Sequence, residues 1–295
     1  MRVNPNLTPD LLAALGRTRQ TTQDALLELS TGRRVNQPSD DPAASAVLVQ
    51  NHDQTTFTAR YLQSLGSLQG QFQTADSALS SVVLALQRAI TLGVEGANGT
   101  LSDGDRAAIA AELQGIQDQL VSLANTSFQG TPLFAGTQTS SPPFVKDGTS
   151  PSGVRYDGND IINNIQIGDG YQVAANKPGS QLFATPGHDV FQAITGLIKA
   201  VQANGGFDIA LTSLRDSFDY ISSQRVFYGN TLNQAQAQST NLGNTKVQLS
   251  QQENTLVASD IEAAASRLVN SQAATNATLA AIGKISQLSL FDFLK

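Results

Sequence analysis

The sequence predicts a mainly α-helical protein: a long helical bundle in which the N- and C-terminal helices pair as a coiled coil, with a small β-rich insert. Three observations predict it. Apolar residues recur at alternating spacings of three and four along most of the 295-residue chain, which is the spacing of one helix face. Residues 1–56 and 229–290 contain no aromatic side chain, so the two ends resemble each other and differ from the middle. Proline and glycine punctuate short β-like runs around residues 154–156, 161–167 and 171–173, within the segment from 137 to 186.

The N-terminal segment predicts a long helix with a weak apolar seam. Some of the seam positions are polar, and Gln and Thr are frequent around them. The seam alternates spacings of three and four at Leu12, Leu15, Arg19, Thr22, Leu26 and Leu29.

The middle of the chain predicts four amphipathic helices with stronger seams. They lie around residues 62–90, 109–123, 190–201 and 211–221, and facing stripes of this kind form a self-sufficient bundle. Between the first two, Asn98–Gly99 breaks the pattern, and Ser102 or Asp103 can cap the helix that follows.

The C-terminal segment predicts helix with a seam in two phases. Leu242, Leu249 and Leu256 are spaced by seven, and the second phase consists of Ile261, Ala264, Leu268, Ser271, Thr275, Thr278, Ile282 and Ile285. Both terminal seams are diluted by Ala and polar residues, so two such helices alone bury little apolar area. The conformational entropy of ordering costs about 1–2 kcal/mol per residue and outweighs the free energy gained from that burial. We therefore expect the two ends to need a partner.

These patterns divide the chain into three parts. We expect residues 1–45 and 230–295 to form a terminal coiled-coil assembly domain, and residues 46–139 and 188–229 a central helical bundle. Residues 140–187 form the small β-rich insert. An insert at the far tip of a helical hairpin would bring both chain termini together at the opposite end.

Composition excludes several classes of protein. The absence of Cys excludes disulfide scaffolds, thiol nucleophiles and zinc fingers, and with two His a histidine-based site is disfavoured. The net charge of −6 disfavours nucleic acid as a partner. No segment approaches the roughly 18 consecutive apolar residues of a membrane span, and no conventional signal peptide is visible. We therefore predict no enzyme activity, no cofactor, no metal and no membrane partner.

Two short acidic segments and the two histidines are further candidates for chemistry. Residues 103–105 and 157–160 cluster Asp and Asn oxygens, but neither matches the twelve-residue calcium loop with its terminal Glu, so a helix cap and a hairpin turn are favoured. His52 and His188 have no partner at metal-binding or catalytic spacing, which favours surface or helix-start positions.

Residues 29–45, LSTGRRVNQPSDDPAAS, carry the most specific motif of the chain. Gly32 suits the left-handed position that ends a helix, and Asp41 followed by Pro42 is an N-cap with proline in the first helical turn. Taken alone, these residues predict a helix–loop–helix hinge, which occurs in a great many proteins.

The same segment resembles the helix–turn signature of the flagellin superfamily, Leu-Ser-Thr/Ser-Gly-x-Arg-x-Asn-x-x-x-Asp-Asp. Within that superfamily, the Pro-Ser-Asp-Asp-Pro form at residues 38–42 resembles the members at the hook–filament junction more than flagellin itself. Three further segments resemble elements of the same superfamily. The second core helix is matched by residues 98–126, the hairpin after it by residues 130–136, and the C-terminal helix by residues 260–294. The hinge motif that the resemblance assigns consists of Gly32, Arg33, Asn36, Asp40, Asp41 and Pro42.

The resemblance implies a structural protein of the bacterial flagellum that forms the junction between hook and filament; the alternative is flagellin, the filament subunit. Its terminal helices would pair and pack against neighbouring subunits through Leu12, Leu15, Thr22, Leu26, Leu29, Ile261, Leu268, Ile282 and Ile285. The implied partners are copies of the same chain in a ring, the adjoining hook-associated protein 1, flagellin and an export chaperone. The implied location is extracellular, reached through the flagellar type III apparatus.

Two other classes of function remain open from the residues alone. A secreted enzyme with the insert as its catalytic part would need convergent His, Asp, Glu or Ser side chains, and residues 140–187 contain no His, Cys or Glu. A soluble coiled-coil adaptor would carry more Glu and Lys beside its seam than this chain has.

Overall fold

The computed structural model describes the backbone of residues 7–293 and the side chains of residues 9–284. Within these residues the helices are α1 (Leu7–Thr31), α2 (Pro42–Gly96), α3 (Asp103–Ala124), α4 (Val190–Ala203), α5 (Phe207–Val257) and α6 (Ile261–Phe293). The strands form antiparallel hairpins that pair β1 (Ser127–Phe128) with β2 (Thr131–Pro132), β3 (Phe144–Lys146) with β4 (Val154–Tyr156), and β5 (Asn164–Gly168) with β6 (Tyr171–Ala174). The predicted fold class, long terminal helices with a small strand-containing insert, is confirmed.

The chain folds as two compact units. One consists of Met1–Phe57 and Thr245–Lys295, and the other of Thr58–Asn244. Helices α2 and α5 contribute residues to both units.

The second unit has one continuous apolar core. Its helices contribute side chains that are almost fully buried, among them Leu79, Leu86, Leu113, Leu197 and Leu214. These belong to the seams that alternating spacings of three and four predict. At Gly93 of α2 a Cβ would lie 2.7 Å from a methyl carbon of Leu211 and 2.9 Å from one of Leu197, so α4 and α5 approach α2 at a position that glycine keeps open.

Two helices of this unit begin at side-chain caps. At the start of α3, Ser102 Oγ accepts a hydrogen bond from the Asp105 N–H at 3.2 Å, and the Asp105 carboxylate accepts one from the Ser102 N–H at 3.2 Å. At the start of α4, Asp189 accepts a hydrogen bond from the Gln192 N–H at 2.9 Å. The acidic segment 103–105 is therefore a helix cap, as the sequence predicts.

The β-rich insert is held on an aromatic cluster. The ring of Phe144, on β3, lies 5.5 Å from that of Phe183 and 5.2 Å from that of Phe191, on α4. Strands β4, β5 and β6 match the predicted β-like runs, except that β5 begins at Asn164 rather than near residue 161. The backbone before it is held instead by the Asn176 side chain, which accepts from the Asn163 N–H at 2.7 Å.

Among the described residues, α2 contains an 18-residue window that is long and apolar enough to cross a membrane by composition alone. Of this window 44% is buried inside the protein, where α2 contributes to the core. The core helix of a water-soluble bundle passes the same test, so the window is weak evidence for a membrane span.

Candidate assembly site

Helices α1 and α6 of the first unit pack against each other along a narrow seam. They are antiparallel, because Thr22 of α1 donates a hydrogen bond to Ser271 of α6 at 3.0 Å, while Glu28, further along α1, pairs with Arg267, an earlier residue of α6. Buried and half-buried positions alternate by three and four on each helix. On α1 they include Leu11, Leu15, Thr18, Thr22, Ala25 and Leu29, and on α6 Ala264, Leu268, Ser271, Thr275, Thr278 and Ile282.

The predicted packing residues divide between this seam and the surface. Leu15, Thr22, Leu29, Leu268 and Ile282 lie on the seam, while the other described ones, Leu12, Leu26 and Ile261, are 55%, 48% and 49% exposed. Ile285 lies outside the residues whose side chains are described.

The phase of the α1 seam differs from the predicted one at alternate positions. Leu11, Thr18 and Ala25 face inward, whereas the sequence pattern predicts Leu12, Arg19 and Leu26 at these places. Small residues allow close approach: Ala25 is 1% exposed and Ala264 of α6 is fully buried. Leu12 and Leu26, which the apolar pattern predicts on the seam, therefore lie one residue after the seam positions Leu11 and Ala25. One residue corresponds to a rotation of about 100° around the helix axis.

This shift leaves an apolar stripe on the outside of the helix pair. Leu12 and Leu26 on α1, and Val269 and Leu279 on α6, each follow a seam position by one residue, and they are between 44% and 65% exposed. We call these four residues the outer stripe. Exposed leucine and valine side chains on one side of a helix pair are candidates for association with another protein surface.

The hinge motif joins the ends of four helices. Gly32 ends α1 with φ +67°, and its N–H donates to the Glu28 carbonyl at 2.9 Å, as the left-handed helix end predicts. The following segment pairs with the loop between α5 and α6: the Arg34 N–H donates to the Val257 carbonyl at 2.7 Å, and the Ser259 N–H donates to the Gly32 carbonyl at 3.1 Å. Backbone hydrogen bonds thus join the loop between α1 and α2 to the loop between α5 and α6.

The two aspartates of the motif each fix one part of this hinge. The Asp40 carboxylate accepts hydrogen bonds from the N–H groups of Asn36 and Gln37, both at 2.9 Å, and these bonds hold the pKa of Asp40 below its ordinary value. Asp41 caps α2 by accepting from the Ala44 N–H at 3.0 Å. That bond, together with Arg34 at 3.1 Å, lowers the pKa of Asp41.

The remaining motif residues connect the hinge to α5. Arg33 forms a salt bridge with Glu253 at 2.7 Å, and both side chains are about half exposed, so this pair contributes little by itself. The Asn36 amide donates to the Arg33 carbonyl at 2.7 Å, which closes the loop on itself. Val35 is buried beside Ala44 and Val257 in a small apolar cluster under the hinge.

Sequence reasoning missed the residues that tie α1 to the start of α6. Glu28 is 5% exposed, and its carboxylate accepts from Ser259 Oγ at 2.8 Å and lies 2.8 Å from Arg267. Glu28 directly precedes the seam residue Leu29, so a helical pattern of apolar residues gives no sign that it is buried.

The described part of the chain offers no cluster of three or more His, Cys, Asp or Glu side chains that could hold a metal ion. His52 is exposed on α2, and His188 lies just before the cap of α4 with its ring stacked on Tyr220 at 4.7 Å. The Asp157 carboxylate accepts from Arg155 at 2.6 Å. His188 and Asp157 have structural partners, and the features with functional potential are the outer stripe and the hinge.

Known proteins resemble this chain over most of its length. The family described as bacterial flagellin N-terminal helical region matches residues 6–139. Flagellar hook-associated protein 3 of Escherichia coli is 28% identical over 293 residues, which cover 91% of each chain. Flagellin of Listeria innocua is 29% identical over 219 residues, which cover 70% of this chain and 74% of the flagellin.

A solved structure from Vibrio parahaemolyticus, titled as that of a putative flagellar hook-associated protein, has the same fold. It matches 74% of this chain and 100% of its own with a TM-score of 0.68, at 22% identity. The match to hook-associated protein 3 extends over more of the chain than the match to flagellin. With the hinge motif and the paired terminal helices in place, the chain is similar to proteins of the flagellin superfamily, and it is similar to hook-associated protein 3 over more of its length than to flagellin.

Proposed function

We propose that this protein is a structural subunit of the bacterial flagellum, forming the junction between hook and filament by self-assembly through its terminal helices. The observation that carries the proposal is the outer stripe. The seam between α1 and α6 is thin and rich in Ala, Ser and Thr, while larger apolar side chains such as Leu12 and Val269 face outward. Such a pair gains most of its stability when further helices cover the stripe.

We propose that copies of the chain are arranged in a ring. A ring of identical subunits uses heterologous contacts, in which one patch of each copy meets a different patch of the next. We propose that the outer stripe meets the terminal helices of the neighbouring copies, and that Leu15, Leu29, Leu268 and Ile282 hold each pair together inside this assembly.

We further propose that three parts of the chain occupy different positions in the assembly. Residues 1–45 and 230–295 form the inner assembly domain, residues 46–139 and 188–229 the next shell, and residues 140–187 an insert that projects outward. On the hook side the partner is hook-associated protein 1, on the filament side flagellin, and before assembly an export chaperone. The subunit reaches the cell exterior through the flagellar type III apparatus and has no catalytic activity.

Electron microscopy of flagella from a strain that lacks this gene tests the proposal. We expect hooks to remain, filaments to be lost and flagellin to be exported into the medium. Complementation with the unaltered gene should restore filaments. If filaments are lost and no flagellin subunits are found in the medium, the deleted protein is itself the flagellin. The junction role is then wrong.

A further inference from the structure

The outer stripe has a cation at its centre. Arg19 lies seven residues after Leu12 and seven before Leu26, so these three side chains project from the same side of α1. Beside Arg19 the helix pair has a recess of about 400 Å³, whose lining includes Gln23 of α1 and Gln272 and Asn276 of α6. Arg19 is exposed, and among the described residues it has no salt-bridge partner. We call this side of the pair the stripe side.

The opposite side of the pair, where Glu28 meets Arg267, carries small side chains and a carboxylate. On α6 the residues that project near Arg267 are exposed and also follow a spacing of seven: Ala263, Asn270 and Ala277. On α1, Asp24 lies one helical turn before Glu28, is exposed, and accepts a hydrogen bond from the Gln20 amide at 2.9 Å. The charge of Arg267 is already paired with that of Glu28 at 2.8 Å, so Asp24 is the anion that this side offers. We call it the small-residue side.

The two sides match each other at a single axial offset between parallel copies. The contact of Thr22 with Ser271 fixes which residues of the antiparallel helices lie level with each other. A neighbour displaced by five residues, about 7.5 Å along the helix axis, brings its Asp24 level with Arg19 and its Asn270 to within about 1.5 Å of that level. At the same offset Ala277 of the neighbour lies within about 1.5 Å of the level of Leu12, and Ala263 within about 1.5 Å of the level of Leu26.

We infer that the stripe side of one copy packs on the small-residue side of the next copy, with Arg19 facing Asp24. Each leucine then lies over an alanine, so that large and small side chains interdigitate, and the cation meets a carboxylate. Because the two sides lie on opposite faces of one helix pair, a contact between unlike sides repeats from copy to copy, as a ring requires. A contact between two stripe sides would instead bring two Arg19 side chains together. The inference rests on the proposed assembly through the terminal helices and adds which surfaces meet.

Charge reversal in the full-length chain tests the pairing of Arg19 with Asp24. Arg19→Asp and Asp24→Arg should each reduce the number of filaments per cell about tenfold while the chain is still secreted, because each change places like charges across the contact. The double variant Arg19→Asp with Asp24→Arg should restore the number to within about twofold of the original, since opposite charges then face each other again. The two residues point about 140° apart on one helix, so this rescue reports a contact between copies. The control Lys246→Glu, at an exposed position of α5, should leave the number unchanged.

Disulfide cross-linking in isolated flagella tests the offset, because the natural sequence contains no Cys. Leu12→Cys with Ala277→Cys should link neighbouring copies into a ladder on a non-reducing gel that is blotted for this chain. The matched control is Leu12→Cys with Ala263→Cys, whose thiols lie about 20 Å apart along the axis at the inferred offset. We expect about tenfold more ladder from the first pair, because the Cα atoms of a disulfide must approach within about 7 Å.

Equal ladders from the two cysteine pairs, or a stronger one from the control, would overturn the inference. Flagella that keep their filaments and show neither ladder would overturn it as well, because the copies would then meet through other surfaces, and the proposed function would stand. A double charge-reversal variant that is secreted but forms no more filaments than the single variants would show that Arg19 and Asp24 do not face each other. Filaments that persist after deletion of the gene would instead contradict the proposed function itself.

Discussion

Replacing Leu113 by Ala should separate the contribution of the central bundle from that of the terminal helices. Leu113, on α3, is 0% exposed in the core of the second unit. Truncating a fully buried leucine costs about 2–5 kcal/mol, because transferred area is lost and a cavity remains. For a unit of this size each kcal/mol lowers Tm by about 2–4 °C, so we expect a fall of about 4–20 °C.

The matched change is Leu12→Ala on the outer stripe. Leu12 is 55% exposed, and substitutions at exposed positions stay within about 0.5 kcal/mol, which corresponds to a change in Tm of less than about 2 °C. In cells the order of the effects should reverse. Leu12→Ala combined with Leu26→Ala should be secreted and yet fail to hold a filament, since both leucines are available for contact with neighbouring copies.

Thermal unfolding of the purified full-length variants, followed by circular dichroism, measures the first effect, and motility of complemented cells measures the second. A fall in Tm for Leu12→Ala as large as for Leu113→Ala would refute the reasoning. It would mean that the outer stripe is part of the core of the single chain and is not reserved for assembly.

Three further predictions concern the hinge and the segment around the β1–β2 hairpin. Gly32→Val should abolish motility without changing the Tm of the central bundle, because φ is +67° and a β-branched residue is strained there, while Gly32→Asn should be tolerated. Gly136→Ala should lower the Tm more than Gly130→Ala: both have positive φ, but only at Gly136 would the new Cβ meet other atoms, at 2.1 Å. The lowered pKa of Asp40 stabilises the hinge at neutral pH, and this stabilisation should be lost as the pH falls below about 4, which amide NMR shifts of Asn36 would follow down to about pH 2.

The sequence predicts this fold well where one pattern dominates. The strong seams of the bundle locate its helices, and the second-phase pattern from Ala264 to Ile282 coincides with the α6 face that packs against α1. Gly32 and Asp41–Pro42 mark the helix end and helix start correctly, because backbone conformation and capping at these positions depend on the residue itself.

Prediction fails where packing chooses between equivalent local patterns. On α1, spacings of three and four fit either Leu12 and Leu26 or Leu11 and Ala25, and only the close approach of α6 selects the smaller residue at position 25. Glu28 could not be found from the sequence either. Its burial depends on Arg267, which is more than two hundred residues away in the chain and becomes its neighbour through tertiary structure.

The measurement that tests the proposed assembly most directly is the accessibility of single cysteines before and after incorporation into the flagellum. Leu26→Cys places the only thiol of the chain on the outer stripe, and Ile161→Cys, at a position that is 57% exposed, places it on the insert. We predict that a maleimide labels both variants in the secreted, unassembled chain. In isolated flagella it should label only Ile161→Cys, because in the proposed assembly neighbouring copies cover the outer stripe and the insert projects outward. Equal labelling of Leu26→Cys in both states would contradict the claim that the terminal helices carry the subunit contacts.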